Sequence, residues 1–414
     1  MKCISFYSIS VPESSWYTFL IVGVLSAIGA LLSVIVFVFC LRKRYGVKNM
    51  GYFELLMKGK PAYINRGKDL KDQAAMIPYN SEREIPRTSF EIGDQIGSGN
   101  FGSVHKGKIK QLSSTRTKPE VAIKEISGHV GDQDIENFLY EIKIMGCVDP
   151  HLNLVSMVGS CTSELERSRE VWLVLEFCDH GELKSFLINN MNKIKLGGAS
   201  DDLNSRCLVR WSYDIAKGMQ YLADSQIMHG DLAARNVLLD SDPLQSGYSV
   251  AKVADFGLSK KMYGDKNYEK ENRTIIPWKW MAPELLMHDY LTLRSDVWSF
   301  GVLVWEMFSF GRAPYGQMGF EELMDKLENG YRLPCPPDLS CISTWSPSEL
   351  YFCLSNACFK EEPEDRASFS DVVQILEKEL TPTEKNLYQA MIDAYKNTNA
   401  KNYLEIGHRQ NSYK

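Results

Sequence analysis

Two aspartates and an asparagine stand among apolar residues near the middle of the sequence. Asp231 and Asn236 belong to the segment 229–236, which reads His-Gly-Asp-Leu-Ala-Ala-Arg-Asn, and Asp255 begins Asp-Phe-Gly at 255–257. Polar groups in such surroundings are costly unless they bind a metal or take part in chemistry. Carboxylate and amide oxygens suit a hard cation such as Mg²⁺, which readily bridges phosphates. The two segments are therefore typical of a site where a metal ion holds a phosphate compound.

Three glycines, Gly97, Gly99 and Gly102, form a G-x-G-x-x-G pattern that could bring backbone amides close to phosphates or simply form a tight turn. A dinucleotide-binding fingerprint needs a helix directly after the glycines. Residues 103–108 read as a strand instead, and the sequence contains no G-x-x-x-x-G-K-[ST] motif of the P-loop type. The pattern predicts a hairpin whose loop would lie over a nucleotide.

Lys124 lies in a predicted strand after Val121, Ala122 and Ile123, so it needs an anionic partner or solvent. A helix predicted over Ile135–Met145 offers Glu141, which falls at the edge of its apolar face. A Lys–Glu pair there could hold a phosphate. Without the other motifs, a surface glutamate would be the favoured interpretation of Glu141.

The elements around these residues change character along the chain. Strand patterns dominate the first part, including 121–126 and 171–177, with the one helix between them. After about residue 181 the periodicity becomes helical. This order predicts an α+β fold with a β-rich first lobe and a helical second lobe. The later predicted helices are Leu208–Leu222, Val297–Phe308 and Phe369–Leu380.

A run without charged residues, 18–41, predicts one transmembrane helix, because 24 helical residues reach about 36 Å and a hydrocarbon core is about 30 Å thick. A cleavable signal peptide is a weaker alternative, since its apolar region is shorter. Basic residues at 42–44 place the following part in the cytoplasm. We therefore expect a single-pass protein, at the plasma membrane, with its N-terminus outside. The predicted regions are 1–17 extracellular, 18–41 transmembrane, 42–89 a juxtamembrane linker, 90–380 the folded domain and 381–414 a flexible tail.

Small residues four apart within the run, such as Gly23 and Ala27, could form a seam for a homodimer or a co-receptor. The net charge of −5 and pI of about 5.9 give no reason to expect nucleic-acid binding. The ten cysteines form no C-x-x-C pair, so a zinc module is not expected.

With these motifs in order, the sequence resembles the receptor tyrosine kinase family over about residues 90–380. The juxtamembrane segment 77–87 is similar to that of growth-factor receptors, and the short N-terminal part is similar to receptor-like kinases with minimal extracellular regions. Further matches are the hinge at 176–178, Ala-Pro-Glu at 282–284, the helix start at 296–301 and Arg366, which in the family pairs the Ala-Pro-Glu glutamate.

The resemblance implies a bilobal protein kinase that transfers the γ-phosphate of ATP to protein tyrosines with Mg²⁺ or Mn²⁺. It implies catalytic roles for Lys124, Asp231, Arg235 and Asn236, with Asp231 accepting the tyrosine proton. Asn236 and Asp255 would hold the metal. The ATP site that it implies comprises Ile96, Gly97, Gly99, Gly102, Val104, Ala122, Lys124, Glu141, Glu176, Cys178 and Leu238.

Tyrosine specificity is suggested by Ala233-Ala234-Arg235 and by 277–281, Pro-Trp-Lys-Trp-Met, which is close to the family's P-V-K-W-M. Trp278 departs from that pattern, and dual specificity or a pseudokinase scaffold are the alternatives. Gly230 stands where the family has an arginine that contacts the phosphorylated activation loop. We therefore expect a weakened phosphorylation switch.

Several tyrosines are candidate phosphorylation sites. The resemblance places Tyr263 and Tyr268 in the activation loop. Tyr403, followed by Ile406 at position +3, is a candidate docking site for SH2-type adaptors once phosphorylated. The expected partners are tyrosine-containing protein substrates, these adaptors and a second receptor chain.

Overall fold

A computed structural model describes ten ranges of the chain: 51–60, 71–99, 102–110, 119–126, 130–196, 203–244, 247–256, 277–288, 290–337 and 347–397. The predicted membrane run 18–41, both activation-loop tyrosines and Tyr403 lie outside them, and so do Asn100, Phe101 and Gly257. The chain divides into two units, and the second begins at Tyr52. None of the helices within these ranges has the length and apolar content to cross a bilayer.

A five-stranded antiparallel sheet forms the first lobe, in the spatial order β1-β2-β3-β5-β4. Alternate residues of β3 are buried, beginning with Val121 and Ile123, as expected for a strand with one face on a core. The strands are β1 Phe90–Gly99, β2 Gly102–Ile109, β3 Glu120–Ile126, β4 Met157–Cys161 and β5 Val171–Glu176.

A 16-residue helix, α2 (Asp132–Cys147), follows β3, as the periodicity predicts. Its buried residues include Ile135, Leu139 and Ile142, which repeat at spacings of four and three and so form one apolar face. Glu141 is fully buried beside that face. The helix thus carries a carboxylate into the interior of the first lobe.

Helices form most of the second lobe, with a small sheet in the order β6-β7-β8. The most buried of the described helices is α7 (Leu293–Phe308). Almost every side chain from Ser295 to Phe308 is buried, so this helix forms the centre of the core of the second lobe. The elements are α3 Leu165–Ser168, β6 Gly181–Glu182, α4 Leu183–Leu196, α5 Arg206–Asp224, β7 Val237–Ser241, β8 Ser249–Val253, α6 Pro283–His288, α7 Leu293–Phe308, α8 Phe320–Glu328, α9 Pro347–Cys358 and α10 Phe369–Glu379. Short 3₁₀ turns at Lys71–Met76, Ser81–Arg83, Arg87–Ser89, Ala234–Asn236, Trp278–Trp280 and Pro363–Asp365 complete the described secondary structure.

Arg366 and Glu284 form the buried ion pair that the family resemblance implies. Two guanidinium nitrogens donate to the two carboxylate oxygens at 2.7 Å each, and the Ser295 hydroxyl donates to the same carboxylate at 2.7 Å. The two-pronged geometry suits a planar guanidinium. This ion pair holds α6 against the segment around Arg366, which precedes α10.

The expected linker 42–89 is folded over part of its length. A helix α1 (Tyr52–Met57) buries Leu56 against α2, and Ile77 and Ile85 are also fully buried. The Lys143 ammonium on α2 donates to the carbonyls of Leu55 at 3.0 Å and Lys58 at 2.6 Å. Burial, with a smaller contribution from Lys58, lowers the pKa of this lysine to about 8. A six-residue helix is too short to show periodicity, so its partners on α2 were not predictable.

The prediction of a flexible tail at 381–414 is wrong for the first part of that segment. Residues Pro382–Tyr395 form a helix, α11, with a capping box in which Thr381 and Glu384 bond each other's backbone amides. The sequence signal was the T-x-x-E spacing at 381–384, which the polar composition of the segment obscured. Met391 and Tyr395 are its buried residues, so it presents only a narrow apolar stripe to the domain. Residues 398–414 lie outside the described ranges.

Candidate active site

Lys124 and Glu141 meet between the sheet and α2, as their positions in the sequence predict. The Lys124 ammonium donates to Glu141 Oε1 at 2.8 Å, and the Glu141 side chain is 1% exposed. In the ladder, Lys124 lies between Val104 of β2 and Leu173 of β5. The neighbouring strands thus fix the direction of the lysine, and α2 supplies the carboxylate.

Asp255 joins this pair from the segment after β8. Its Oδ1 accepts from the Lys124 ammonium at 3.0 Å, and its backbone has a φ of +56°, a conformation that non-glycine residues rarely adopt and that is concentrated at functional sites. Lys124 holds the pKa of Asp255 below its ordinary value, against the effect of burial. Burial would lower the pKa of Lys124, but the charges of Asp255 and Glu141 raise it overall. Both shifts favour the charged forms of Lys124 and Asp255.

Asp231 is held by two residues of its own loop. Its Oδ1 pairs with Arg235, and its Oδ2 accepts from the Asn236 amide nitrogen at 2.8 Å. That nitrogen also donates to the Asp231 carbonyl at 2.7 Å, so the amide oxygen is the atom of Asn236 that could bind a metal ion. Burial raises the pKa of Asp231, although Arg235 and Asn236 oppose this shift. The carboxylate is thus oriented and made more basic than an exposed aspartate.

Two acidic residues of α7 anchor this loop: Asp296, which begins the segment 296–301 that matches the family, and Glu306, which belongs to none of the motifs. The Asp296 carboxylate accepts from the backbone amides of His229 at 2.6 Å and Gly230 at 2.7 Å. Glu306 accepts from the Ala234 amide at 3.0 Å. Both are buried acids in a helix whose buried residues are mostly apolar, and that contrast was the available signal in the sequence.

Gly230 has a φ of +75°, in the left-handed region that glycine adopts without strain. Its amide is oriented towards Asp296 in that conformation. The residue that departs from the family motif is therefore well suited to the local backbone. It brings no positive charge to the site.

The glycine pattern forms a hairpin, as predicted. Gly97 pairs with Val104 and Gly99 with Gly102 across β1 and β2. A Cβ atom at Gly102 would lie 1.8 Å from the Glu125 carbonyl oxygen of β3, so no larger residue fits there. Because β2 and β3 approach so closely here, packing within the sheet is enough to require glycine at position 102.

An apolar cluster lies at the hinge and brings together some of the residues expected to surround the adenine. Val155, Cys178 and Ala254 are buried in contact with the half-buried Leu175 and Leu238. Ala122, opposite Leu175 in the β3–β5 ladder, is also half-buried. In β1, Ile96 is 49% exposed, which leaves its side chain open to contact with another molecule.

The Glu176 side chain does not contribute to the apolar cluster at the hinge. It turns inward, where Oε1 accepts from the Lys252 ammonium at 3.0 Å and from the Ser156 amide at 2.8 Å. Burial raises the pKa of Glu176, although Lys252 opposes the shift. Any contact of Glu176 with a nucleotide must come from its backbone. The pairing with Lys252, 76 residues away, had no local signal in the sequence.

The segment expected to receive a substrate tyrosine begins at Pro277. Trp278 packs edge-on against Phe320 with ring centroids 5.7 Å apart. The Trp280 indole donates to Glu306 Oε2 at 2.6 Å, and the Arg235 guanidinium lies 4.7 Å from its ring. The replacement of valine by Trp278 is thus accommodated by packing on α8, while Trp280 connects this segment to the Asp231 loop.

Comparison with known proteins agrees with this arrangement. A family model for protein tyrosine and serine/threonine kinases matches residues 90–376. The chain is 34% identical over 307 residues to fibroblast growth factor receptor 2 of Dugesia japonica, an alignment covering 73% of this chain and 32% of the relative. It is 32% identical over 298 residues to tyrosine kinase receptor Cad96Ca of Drosophila melanogaster, covering 71% and 36%.

A third relative, the fibroblast growth factor receptor of Hydra vulgaris, is 33% identical over 311 residues, covering 74% of this chain and 35% of the relative. The alignments thus span about a third of each relative. The family model, by contrast, matches more than half of this chain. The matched region contains both lobes and the cluster of Lys124, Glu141 and Asp255. The chain belongs to the protein tyrosine and serine/threonine kinase family.

Proposed function

We propose that this chain is a membrane-anchored, receptor-type protein tyrosine kinase that transfers the γ-phosphate of ATP to tyrosine hydroxyls. The observation that carries the proposal is the assembled Lys124–Glu141–Asp255 cluster, with distances of 2.8 and 3.0 Å from the ammonium. Phosphoryl transfer depends on positioning and charge neutralisation, which this cluster supplies.

Each residue has a distinct task in the proposed mechanism. Lys124 binds the α- and β-phosphates, and Glu141 keeps its ammonium in place. Asn236 and Asp255 would hold Mg²⁺ or Mn²⁺, which would supply positive charge to neutralise the phosphates. Asp231 accepts the proton of the substrate hydroxyl as the oxygen attacks the γ-phosphorus, while the bond from the γ-phosphorus to the β–γ bridging oxygen breaks and ADP leaves. Arg235 and Asn236 orient the Asp231 carboxylate for that step.

The remaining parts of the ATP site belong to the two lobes. The β1–β2 hairpin, with Gly97, Gly99 and Gly102, covers the phosphates, while Ile96, Val104, Ala122 and Leu238 contact the adenine from both sides. The hinge, 176–178, contributes backbone groups. The apolar cluster around Cys178 and Leu238 supports this assignment.

Membrane attachment rests on the uncharged run 18–41 and the basic residues after it. The printed names of the relatives describe receptors, which supports the same assignment. In this proposal the kinase domain is cytoplasmic and the chain pairs through its membrane segment with a second copy or a co-receptor. Phosphorylated Tyr403 recruits SH2-type adaptors.

The test is a phosphorylation assay on the purified full chain with ATP, Mg²⁺ and a tyrosine-containing polymer. We expect phosphotyrosine on the polymer and on the chain itself, with mapping to Tyr263 and Tyr268. Phosphoserine or phosphothreonine alone would contradict the tyrosine assignment. A signal no greater than that of a Lys124→Met variant would favour a scaffold without catalysis.

Gly230 predicts that activation-loop phosphorylation has a small effect, because residue 230 offers no guanidinium to bind the phosphate. We expect Tyr268→Phe to lower kcat by less than about threefold in the natural background, and by about tenfold or more in a Gly230→Arg background, where a charge-assisted bond becomes available. The measurement is kcat after preincubation with ATP.

Gly230→Ala is the matched control for this comparison. It imposes the same strain of a side chain at φ +75°, roughly 1–2 kcal/mol, without the positive charge. If Tyr268→Phe acts equally in the glycine, alanine and arginine backgrounds, the proposed weakening of the switch is wrong.

A further inference from the structure

A single buried carboxylate on α7 lies between the Asp231 loop and the segment that begins at Pro277. The Ala234 amide donates to Glu306 Oε2 at 3.0 Å, and the Trp280 indole donates to the same oxygen at 2.6 Å. The residue is 1% exposed, so both hydrogen bonds are shielded from water. Glu306 thus joins two segments that are far apart in the sequence.

The other carboxylate oxygen, Oε1, is also buried, and no donor within the described part of the chain bonds it. Burial raises the pKa of Glu306, although the two N–H bonds and the charges of Lys184 and Arg235 oppose the shift. A buried carboxylate anion is costly unless donors satisfy both of its oxygens. The contacts of Glu306 therefore require one acceptor oxygen and do not require a charge.

Trp280 is held by α7 at a second point, and its ring contacts Arg235. The Ser299 hydroxyl donates to the Trp280 carbonyl at 2.8 Å. Ser299 and Glu306 are two helical turns apart and so lie on the same side of α7. The Arg235 guanidinium lies 4.7 Å from the centre of the Trp280 ring and pairs with Asp231. A displacement of this ring would therefore move the partner of the Asp231 carboxylate.

We propose that Glu306 is a positioning residue for phosphoryl transfer. Its Oε2 atom holds the Ala234 amide and the Trp280 indole together, so that Arg235 stays against the ring and orients Asp231. The side chain acts in this role as a hydrogen-bond acceptor, and its charge is not needed. This inference rests on the proposed kinase function and deepens it by assigning a further residue to the same site.

Two substitutions in the full chain separate the acceptor from the charge. Glu306→Gln keeps an acceptor oxygen of the same reach and removes the charge. Glu306→Leu keeps a side chain of comparable size but leaves two buried donors without their acceptor, which is unfavourable. With a tyrosine peptide as substrate, we expect kcat to fall about tenfold in Glu306→Leu and less than about twofold in Glu306→Gln. Glu377→Leu, at an exposed position of α10, is the control and should leave the kinetics unchanged.

The Michaelis constants distinguish positioning from a general loss of folded enzyme. A smaller folded fraction lowers the apparent kcat and leaves both KM values unchanged. In Glu306→Leu we expect the KM for the peptide to rise about threefold as well, because the segment 277–281 is displaced. The KM for ATP should stay the same, because Lys124 and its partners are not altered.

Trp280→Phe tests the indole bond without changing Glu306. It removes the N–H donor and keeps an aromatic ring beside Arg235. We expect kcat to fall about threefold in the natural background. In the Glu306→Leu background the same substitution should have no effect, because the acceptor of the indole is already absent. Equal losses in the two backgrounds would show that the bond between these side chains does not position the site.

The indole N–H resonance of Trp280 gives a readout that is independent of activity. It can be observed in the full chain labelled with ¹⁵N-tryptophan, and its absence in Trp280→Phe identifies it. The resonance should keep its hydrogen-bonded position in Glu306→Gln and shift in Glu306→Leu.

The proposal is overturned if Glu306→Gln is as inactive as Glu306→Leu, which would show that the charge is required. It is also overturned if Glu306→Leu leaves the peptide kinetics and the indole resonance unchanged. Should Glu306→Leu not fold, an unaltered kcat in Trp280→Phe would disprove the coupling. If the natural chain transfers no phosphate at all, the proposed function fails instead, and the resonance still decides whether Glu306 holds Trp280.

Discussion

Asp231→Asn should lower kcat by about 10²–10⁴-fold, the usual contribution of a general base, with little change in the KM for ATP. Asparagine has the same size, and its amide oxygen can still accept a hydrogen bond from Arg235. The side-chain bond from Asn236 is lost, but the Asn236 nitrogen keeps its bond to the backbone carbonyl of residue 231, so the loop is expected to keep its shape. It cannot take the proton of the substrate hydroxyl. The measurement is steady-state phosphorylation of a tyrosine peptide with saturating ATP.

The pH dependence gives a second readout for the same substitution. Burial raises the pKa of Asp231, and only the ionised carboxylate accepts a proton. Activity of the natural chain should therefore fall as the pH drops through this raised pKa, at a higher pH than for an exposed aspartate. Asp231→Asn should lack that acidic limb.

Asp224→Asn, the same chemical change at an exposed position at the end of α5, serves as the control and should leave kcat and the acidic limb unaltered. Retention of more than about a tenth of kcat in Asp231→Asn would show that this carboxylate is not the base.

Lys124→Met should lower kcat/KM for ATP by about 10²–10³-fold, the range found when one preorganised charge-stabilising group is removed. Methionine retains much of the side-chain length but has no positive charge for the phosphates. It also leaves Glu141 buried without this ammonium, and breaking a buried pair on one side costs about 3–5 kcal/mol of stability. Activity and the free energy of unfolding should therefore fall together.

A double substitution separates these two effects. Lys124→Met with Glu141→Leu removes both charges, so much of the lost stability should return while activity stays low. Lys378→Met, on the exposed side of α10, is the matched control and should change neither quantity. If the double variant regained activity along with stability, Lys124 would be a structural residue and its assignment to the phosphates would be wrong.

Much of the candidate site could be predicted from the sequence, because the patterns that indicate it are formed by residues close together in the chain. The hairpin followed from three glycines and a strand pattern. The position of Glu141 on a periodic helix made it a candidate partner for Lys124, and the family resemblance then selected it. The large helices α2, α5, α7 and α10 were predicted close to their observed bounds, since each has a long apolar face.

Two of the helices that were not predicted, α1 and α11, are short or polar. Helix α1 has six residues and buries one side chain, Leu56. Helix α11 buries two and obtains the rest of its anchoring from polar contacts, such as Glu384 with Arg206. Hydrophobic periodicity cannot reveal a helix whose attachment depends on single hydrogen bonds and ion pairs.

The sequence by itself identified the residues that we propose to bind phosphate and metal and to accept a proton, and it predicted the two-lobe order of strands and helices. Only the tertiary structure decided that Glu176 turns away from the nucleotide side towards Lys252, that Gly230 adopts a left-handed backbone, and that Tyr395 bonds to Ser156, 239 residues away. Local patterns report which face of an element is apolar. They do not report which distant groups meet once the chain has folded, because that depends on how all the elements pack together.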